Sequence, residues 1–424
     1  MAKSRVFLFL QGPHGPFFRQ LATALSAAGA RCFRVGLNRS DQLFWGREDY
    51  IPFGGPPGDW EEWLSGIVAA EGVSDIVLYG DTRPVHATAL RLARRSAVTP
   101  HVFEEGYLRP WWITYERGGT SGNSRCLDVS LDAMTRALGH APGPVQDVPA
   151  TWGELPQHIF WGAAYHAPLL RRSSTYPHHQ GHRDIPVTSE FGLYARRLAL
   201  MAPHAVERFL ASRRVRHGGF HYHLVLLQLS HDPSFRLHGP FPDQQGFLET
   251  VLEGFRDGAP DDHRLVFKAH PLEDGRTPVA AIVRRHSRAL GIGDRVHFVR
   301  GGKLATLLDR AETAITVNST SAHQALFRGL PVRTFGASVY ARRGITSRQS
   351  LPAFFAAPEP PDPERYGILR SFLLATTQVQ GGYYATKGRR RLLQNIRERV
   401  LSDRDPYDLL DTAIAANPQQ ARSD

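Results

Sequence analysis

Arg5-Val-Phe-Leu-Phe-Leu10 runs directly into Gln11-Gly-Pro-His-Gly-Pro16, and apolar residues then recur at helical spacing over residues 17–28. A second apolar run follows at residues 32–35. A strand, a glycine-containing turn, a helix and another strand, in this order, are typical of a β-α-β unit with parallel strands. The opening of the chain therefore predicts a parallel sheet that is covered by crossover helices.

The same alternation continues outward from this unit in two series. Further segments of the first series lie at residues 60–70, 75–79, 85–97 and 101–103. Segments of the second series lie at residues 222–229, 243–255, 264–269, 279–290, 295–299, 304–310 and 313–317. We therefore predict an α/β fold with two doubly wound Rossmann-like domains in tandem, in which ligands bind at the carboxyl ends of the strands.

The composition fits an ordinary two-domain enzyme. The chain has 424 residues, and 51 Lys and Arg against 40 Asp and Glu give a net charge of +11. It has no apolar run long enough to span a membrane, and its first apolar run lacks a cleavage site, so we expect neither a transmembrane helix nor a signal peptide. Its two cysteines, Cys32 and Cys126, are too few for a disulfide framework, and we expect a cytoplasmic protein.

The positive charge leaves three classes of partner open, namely nucleic acid, an anionic membrane surface and an acidic substrate. Nucleic-acid binding is disfavoured because the aromatic pairs Trp111-Trp112 and Tyr383-Tyr384 lie outside the main groups of arginines. Those groups extend from Arg196 to Arg216 and from Arg389 to Arg399, the second together with Leu392, Leu393 and Ile396. Both groups are candidates for docking on a membrane, and solvated surface is the alternative explanation.

Two strand ends in the first half carry polar residues with possible chemistry. Gln11 and His14 lie in a turn whose glycines let backbone amides approach a ligand, although the G-x-G-x-x-G spacing of dinucleotide sites is absent. A tight β-α turn is the alternative. Phe103-Glu-Glu-Gly-Tyr-Leu-Arg-Pro110 places two carboxylates and Arg109 at the next strand end, a combination suited to acid, base or nucleophile work. Because side chains alternate along a strand, at most one of Glu104 and Glu105 faces a given cleft. The alternative explanation is a pair that caps a helix or forms salt bridges.

Three strand ends in the second half suggest an anion site. Leu265-Val-Phe-Lys-Ala-His-Pro271 brings Lys268 and His270 to one place, with Pro271 ending the strand. Ile315-Thr-Val-Asn-Ser-Thr-Ser-Ala322 supplies three hydroxyls at a predicted helix start, which is more than one N-cap needs. Gln228-Leu-Ser-His-Asp232 adds a carboxylate at the same sheet edge, with an ordinary turn as the alternative. A phosphate is the expected ligand of this edge.

These motifs carry a resemblance to a known family. Lys268-Ala-His-Pro271 followed by Asn318-Ser-Thr-Ser321 resembles the His-Pro and Ser/Thr motifs of bacterial CMP-sugar glycosyltransferases, and Glu104-Glu-Gly106 resembles their acidic motif. The chain also resembles capsular polysaccharide synthesis proteins of the KpsS/LipB type over most of its length. The stretches that carry this second resemblance are residues 10–18, 104–110, 113–116, 318–320 and Gly381-Gly-Tyr-Tyr384. Trp111 and Ser321-Ala-His-Gln324 depart from the pattern we expect.

The resemblance implies a GT-B enzyme that transfers 3-deoxy-D-manno-octulosonic acid (Kdo) from CMP-β-Kdo to a phosphatidylglycerol or lysophosphatidylglycerol lipid. Such a reaction begins the poly-Kdo linker of capsular polysaccharide. The implied domains are an acceptor-side domain over residues 1–215, a CMP-sugar donor domain over residues 216–385, and a basic helix and tail over residues 386–424. We expect a cytoplasmic protein, peripheral on the inner face of the bacterial inner membrane, with other capsule biosynthesis proteins as partners.

The resemblance also assigns roles to residues. Those expected to bind substrate are Lys268, His270, Pro271, Ser319, Thr320, Ser321, Gln11, His14 and Arg109. Retention of the β configuration is implied, and it is achieved either by two displacements through a covalent carboxylate adduct or by attack from the same face. Glu105 is the first candidate for the nucleophile, with Glu104 as its partner in the motif and Asp232 as the second candidate.

We expect no cofactor and no metal. The Asp-x-Asp of this chain, Asp403-Arg-Asp405, is better explained as a turn before a proline, and the histidines at 178, 179 and 182 lack an acidic or cysteine partner. A CMP-sugar carries one phosphate, which Lys268, His270 and the predicted helix end after Ser319 and Thr320 can neutralise unaided. Two alternative functions remain open, namely a different, sialyltransferase-like CMP-sugar transferase and a non-catalytic component of capsule assembly or export.

Overall fold

The computed structural model describes residues 5–139, 155–171, 173–178, 200–271, 273, 275 and 277–410. The chain forms two compact units. Unit 1 comprises Met1–Asp184 and Ser371–Gln419, and unit 2 comprises Ile185–Arg370 and Gln420–Asp424. Three residues named above, Arg196, His179 and His182, lie outside the described part of the chain.

Unit 1 is built on a seven-stranded sheet. With elements numbered in chain order, its strands are β1 Val6–Phe9, β2 Arg31–Gly36, β3 Tyr50–Pro52, β4 Asp75–Tyr79, β5 Thr99–Glu105, β6 Trp112–Glu116 and β12 Gln378–Gln380. The strand order is β12-β6-β5-β4-β1-β2-β3. Strands β1 to β5 are parallel, whereas β6 runs antiparallel to both β5 and β12. The carboxyl ends of β1, β4 and β5 therefore meet at one edge.

Helices cover both faces of this sheet. They are α1 Phe17–Ser26, α2 Arg39–Trp45, α3 Trp60–Ala70, α4 Pro84–Arg95, α5 Leu131–Leu138, α6 Leu155–His166 and α15 Thr386–Leu401. Because side chains alternate along a strand, Phe7 and Phe9 pack into a core with α1 and α15, and Leu8 and Leu10 pack into a second core with α3 and α4. Each fully buried large apolar side chain stabilises the fold by about 1.5–3 kcal/mol.

Unit 2 contains a five-stranded parallel sheet. Its strands are β7 Tyr222–Leu226, β8 Arg264–Lys268, β9 Val296–Val299, β10 Thr313–Thr316 and β11 Val332–Thr334, in the order β11-β10-β7-β8-β9. Its helices are α7 Met201–His217, α8 Pro233–His238, α9 Gln244–Gly258, α10 Val279–Ala289, α11 Leu304–Leu308, α12 Ala322–Leu326, α13 Leu351–Ala356 and α14 Pro363–Thr376, the last of which contains the boundary between the units. The prediction of an α/β chain with two domains built on parallel sheets is confirmed.

The C-terminal segment belongs to unit 1. Strand β12 pairs with β6, and Leu392 and Ile396 of α15 are fully buried in the core that contains α1. The phenol of Tyr407 donates to the buried Glu116 of β6 at 2.9 Å. The predicted boundaries placed residues 371–385 in the second domain and residues 386–424 in a separate tail. Residues 371–410 lie instead in unit 1, because backbone pairing and apolar burial both return them to the first sheet.

None of the described helices has the length and apolar character that crossing a membrane requires. Among the described helices of unit 2, α7 is the longest, and it carries four arginines and a glutamate within seventeen residues.

Candidate functional site

The carboxyl edge of the first sheet brings together three polar side chains from three parallel strands. Gln11 follows β1, Tyr79 ends β4, and Glu105 ends β5. The pairing of Phe103 with Tyr79 across β5 and β4 aligns the last two of these ends. In open parallel sheets this edge is where ligands bind.

Glu105 is half-buried, and two phenols hold it through one oxygen. Tyr79 donates to Oε1 at 3.1 Å, and Tyr384 donates to the same atom at 3.0 Å. Burial, followed by the charge of this carboxylate, raises the pKa of Tyr79, so its phenol stays protonated and remains a donor. In the described part of the chain, no hydrogen bond goes to Oε2 of Glu105. The two phenols therefore fix the carboxylate through Oε1.

Glu104 has different partners from its neighbour. Its Oε2 accepts a hydrogen bond from the hydroxyl of Thr120, and its backbone oxygen accepts one from Tyr383 at 2.9 Å. The alternation of side chains along β5 separates the two carboxylates in this way. Glu104 therefore stabilises the connection to the Thr120 loop, and Glu105 is the better candidate for chemistry.

The glycine of the Glu-Glu-Gly motif has a steric role. A Cβ at Gly106 would lie 2.1 Å from the backbone oxygen of Trp112, so the turn between β5 and β6 admits only glycine there. The turn continues through a cis bond between Arg109 and Pro110 and a left-handed Trp111 with φ of 71°. Arg109 itself is exposed, and its Nε donates to the backbone oxygen of Gly106 at 3.2 Å. The structure thus places Arg109 near the motif but gives it no contact with Glu105.

The turn after β1 is packed against protein groups. Gln11 is buried, donating to Asp41 at 3.2 Å and accepting from Arg83 at 3.4 Å. Asp41 in turn forms a buried ion pair with Arg34 at 2.6 Å. His14 stacks on Tyr165 with ring centroids 4.7 Å apart. These contacts favour a supporting role for Gln11 and leave its predicted contact with substrate a prediction.

Helix α6 lies against the same edge. His158 stacks on the ring of Tyr384 at 4.3 Å with an interplanar angle of 5°, and Trp161 donates through Nε1 to the backbone oxygen of Tyr384 at 3.1 Å. Burial lowers the pKa of His158, which keeps the imidazole neutral near pH 7. The helix therefore fixes the phenol that holds Glu105.

In unit 2, the end of β8 presents a buried cation. Lys268 pairs in register with Leu226 of β7 and is only 6% exposed. Burial lowers its pKa to about 8, and its Nζ donates to the backbone oxygen of Ala269 at 3.3 Å. His270 follows two residues later, half-buried, with its backbone oxygen accepting from Glu273 in a turn that contains Pro271. An amine whose pKa is lowered by burial alone is stabilised in its charged form by an incoming anion.

The hydroxyl segment after β10 is held beside the end of β7. Asn318 and Gln228 exchange two hydrogen bonds, at 2.8 and 3.1 Å. The hydroxyl of Ser319 accepts from the backbone nitrogen of Ser321 at 3.2 Å, and the backbone oxygen of Ser319 accepts from Tyr340 at 2.7 Å. The following helix, α12, has only five residues, so its dipole is small. The expected phosphate contact therefore depends on the hydroxyls of Ser319, Thr320 and Ser321 rather than on the helix end.

Asp232 has a structural role in the described structure. Its carboxylate accepts from the backbone nitrogen of Ser234 at 2.9 Å and forms the N-cap of α8. This geometry is that of the ordinary turn given above as the alternative. Glu105, which lies in unit 1 and caps no helix, is the stronger candidate for the nucleophile.

The metal candidates are not brought together. Asp405 pairs with Arg125 at 2.9 Å and accepts from the backbone nitrogen of Tyr407, as a turn residue does. Among the residues that the structure describes, no group of three or more His, Cys, Asp or Glu side chains has the arrangement of a metal site. Metal independence stays a prediction.

Reasoning from the sequence missed four residues that shape the two edges. They are Tyr79, His158, Gln228 and Tyr384. Tyr384 belongs to the Gly-Gly-Tyr-Tyr stretch that carried the family resemblance, and Gln228 opens the strand-end stretch Gln228-Leu-Ser-His-Asp232 that was singled out for its carboxylate. Tyr79 and His158 have partners that are distant in sequence, so no local pattern marks them.

Similarity to known proteins extends over most of the chain. The family model for capsule polysaccharide biosynthesis proteins matches residues 74–384. The chain is 28% identical over 386 residues to the capsule polysaccharide export protein KpsS of Escherichia coli, covering 91% of this chain and 98% of that protein. It is 29% identical over 391 residues to the capsule polysaccharide modification protein LipB of Neisseria meningitidis serogroup B, covering 89% of this chain and 91% of that protein.

Solved structures give a weaker likeness. The β-Kdo 2,7 transferase of Thermosulfurimonas dismutans KpsC has a TM-score of 0.42 and 13% identity, with 89% of this chain and 92% of that chain covered. No site residue is transferred from a likeness of this size. The family model, by contrast, spans well over half of the sequence. The matched residues include the acidic motif Glu104-Glu-Gly106 and the motif Lys268-Ala-His-Pro271. On this evidence the chain belongs to the capsule polysaccharide biosynthesis protein family.

Proposed function

We propose that this protein is a retaining glycosyltransferase that transfers Kdo from CMP-β-Kdo to an anionic glycerophospholipid of the phosphatidylglycerol type, beginning the linker of a capsular polysaccharide. The observation that carries the proposal is Glu105, a carboxylate at the carboxyl edge of a parallel sheet that two phenols hold through Oε1. Membership of the capsule polysaccharide biosynthesis family supports the pathway. Work at the cytoplasmic face of the inner membrane is part of the proposal.

The proposed chemistry has two displacements. Oε2 of Glu105 attacks the anomeric carbon of Kdo, the bond from that carbon to the phosphate oxygen breaks, and CMP leaves with the electron pair. The acceptor hydroxyl then attacks the same carbon, the bond to Glu105 breaks, and the hydroxyl proton passes to water. Two inversions at one carbon give retention. The phenols of Tyr79 and Tyr384 keep the carboxylate oriented through both steps.

The donor phosphate is assigned to the edge of the second sheet. Lys268 supplies a cation that burial has left without a carboxylate partner among the described contacts, and His270 and the hydroxyls of Ser319, Thr320 and Ser321 add donors. A single phosphate carries little enough charge for these groups to neutralise it. The leaving group thus depends on protein cations and needs no metal in this proposal.

The test is incubation with CMP-Kdo and a fluorescent phosphatidylglycerol analogue, followed by mass analysis of the lipid. One added Kdo, absent with Glu105→Gln, is the expected product. A ladder of sugars would contradict a role as initiator, and transfer from CMP-sialic acid instead of CMP-Kdo would support the sialyltransferase-like alternative. Failure to release CMP from any CMP-sugar with lipid present would support the non-catalytic role, which agrees with the name export protein that the Escherichia coli relative bears.

A further inference from the structure

Helix α7 of unit 2 has an exposed apolar face. Val206, Phe209 and Leu210 are 60%, 58% and 57% exposed, respectively. Their spacing of three and four residues places them side by side on one face of the helix. On the opposite face, Val215 is buried and Ser212 lies against Gly302. The helix thus carries apolar side chains both toward its own sheet and toward the outside.

Contiguous apolar patches on the surface of a protein mark sites of interaction with proteins, membranes or ligands. Each of the three apolar side chains on α7 exposes more than half of its surface to solvent. Unrelated surface residues of this kind are normally scattered singly. The adjacency of three on one helix marks this face as an interaction surface.

The charge on and around this face is positive. Within α7 there are four arginines and one glutamate, and that glutamate, Glu207, is paired with Arg300 at 2.9 Å. Arg213 lies one turn beyond Leu210 on the outer face, and both it and the next residue, Arg214, are exposed. Arg310 reaches the end of the helix, where it donates to the backbone oxygen of Arg216. The apolar face is therefore bordered by cations at its C-terminal end.

The structure removes the competing candidate. The second arginine group of the sequence lies on α15, whose Leu392 and Ile396 are fully buried and whose Arg389 is 6% exposed and donates to the backbone oxygen of Tyr384. Those residues serve the core of unit 1. Of the two basic segments that the sequence offered, only the one on α7 joins exposed apolar side chains to exposed arginines in the described residues.

We infer that the outer face of α7, formed by Val206, Phe209 and Leu210 with Arg213 and Arg214, docks on an anionic lipid bilayer. The apolar side chains enter the interface between headgroups and acyl chains, and the arginines contact lipid phosphates. Anionic lipid is the occupant chosen because an anionic leaflet offers negative charge directly above an apolar layer, which matches the arginines beside the apolar cluster. This surface rests on the membrane location given in the proposed function, and it does not depend on the proposed sugar or carboxylate.

Site-specific fluorescence tests this surface without any substrate. The native Cys32 and Cys126 are buried, so a thiol-reactive NBD dye can be directed to Val206→Cys or Phe209→Cys. Phe327→Cys, at a residue that is 63% exposed elsewhere in unit 2, is the matched control. We expect vesicles that contain phosphatidylglycerol to shift the emission of both α7 labels to the blue and to leave the control unchanged. Vesicles of phosphatidylcholine alone should shift none of them.

A charge reversal completes the test. Arg213→Glu with Arg214→Glu should weaken binding to the phosphatidylglycerol vesicles about tenfold or more, and added salt should weaken the binding of the unchanged protein. Arg284→Glu with Arg285→Glu changes the same charge on exposed residues of α10 and should retain binding. The proposal is overturned if the protein binds vesicles while the α7 labels stay in water, or if both charge pairs weaken binding equally. The proposal would also be overturned if the α7 labels emitted in the blue before vesicles were added, because this chain or a second copy would then already shield them from water.

Discussion

The phenol of Tyr384 donates a 3.0 Å hydrogen bond to Oε1 of Glu105, although 279 residues separate the two in the chain. The pairing of β12 with β6 makes this contact possible, since it returns the C-terminal segment to the edge where β5 ends. Tyr79 donates to the same oxygen from the neighbouring strand. One carboxylate is thus fixed by a local strand and by a segment from the far end of the chain, and the first predictions concern this arrangement.

Replacing the carboxylate should remove the reaction and preserve donor binding. We expect Glu105→Gln to lower kcat by at least about 10³-fold, as loss of a nucleophile does, while CMP binding measured by calorimetry stays near that of the unchanged protein. Asp232→Asn is the matched control, and it should lose some stability at the N-cap of α8 but keep most of its activity. If Glu105→Gln is active, or if Asp232→Asn folds but is inactive, the role of nucleophile would pass from Glu105 to Asp232.

Removing either phenol hydroxyl should loosen the carboxylate without affecting the donor. We expect Tyr384→Phe and Tyr79→Phe each to lower kcat about tenfold with little change in the donor KM, because the ring remains and only one hydrogen bond to Oε1 is lost. Tyr222→Phe is the control. The hydroxyl of Tyr222 donates to a backbone oxygen in unit 2, and its removal should leave kcat unchanged. A rise in donor KM without a fall in kcat would show that the phenols bind substrate instead of orienting Glu105.

The pH dependence of donor binding should reflect the loss of the proton from Lys268. Its pKa of about 8 lies below the ordinary value of 10.5, so the free site holds a cation below pH 8 and loses it as the pH rises through 8. CMP affinity measured by calorimetry should therefore fall above about pH 8, by up to about tenfold per pH unit. Lys268→Met should bind CMP weakly at pH 7 already and should lack this fall. An unchanged affinity in that variant would remove Lys268 from the phosphate site.

The stability of unit 1 should depend on Glu116. This carboxyl is buried among the hydroxyls of Tyr107, Ser124 and Tyr407, and burial raises its pKa from 4.5 to about 8. The folded state holds a proton that the unfolded state releases between these values, so the free energy of unfolding should decrease as the pH rises from about 4.5 to about 8. The slope is at most about 1.4 kcal/mol per pH unit.

Urea unfolding at several pH values checks this linkage. Glu116→Gln keeps a neutral group in the cluster, and its unfolding free energy should lack the decrease that Glu116 contributes in that range. Glu398→Gln alters an exposed glutamate of α15 and should behave like the unchanged protein. Identical pH profiles for Glu116→Gln and the unchanged protein would mean that Glu116 is ionised in the folded state.

Chelation should leave the transfer reaction intact. The proposed donor has one phosphate, and Lys268, His270 and nearby hydroxyls are available to neutralise it. We expect the same rate of CMP release with and without excess EDTA. Loss of turnover that added Mg²⁺ or Mn²⁺ restores would overturn the metal-free proposal and direct the search to ligands beyond the described residues.

The regular strands and helices were the predictable part of the fold. Apolar runs at residues 75–79 and 264–269 and helical spacing at residues 60–70 correspond closely to β4, β8 and α3. The short strands β3, β11 and β12 were not predicted, since three residues carry too little periodicity to be distinguished from loop. Strand β6, Trp112–Glu116, was missed for another reason. Residues 113–116 were interpreted only as a family motif, and the antiparallel pairing of β6 with β5 depends on a turn that the local pattern does not indicate.

The departures from the family pattern acquire physical reasons in the structure. Trp111 occupies a left-handed position whose backbone oxygen accepts from Gly381, at the junction of β6 with β12. His323 is buried, bonds Tyr366 at 3.2 Å, and has its pKa lowered by burial to about 3. Both residues serve packing. Neither change bears on the carboxylate or on the buried lysine.

By itself the sequence determined the α/β class, the two doubly wound domains, the strand ends that carry polar residues and the family, because these follow from local periodicity and short motifs. Only the tertiary structure decided which of the adjacent carboxylates is held by phenols, that Asp232 caps a helix, and that α15 belongs to the first core. The physical reason is the same in each case. A side chain's role depends on its partners and burial, and chain folding brings those partners from positions that no local pattern relates.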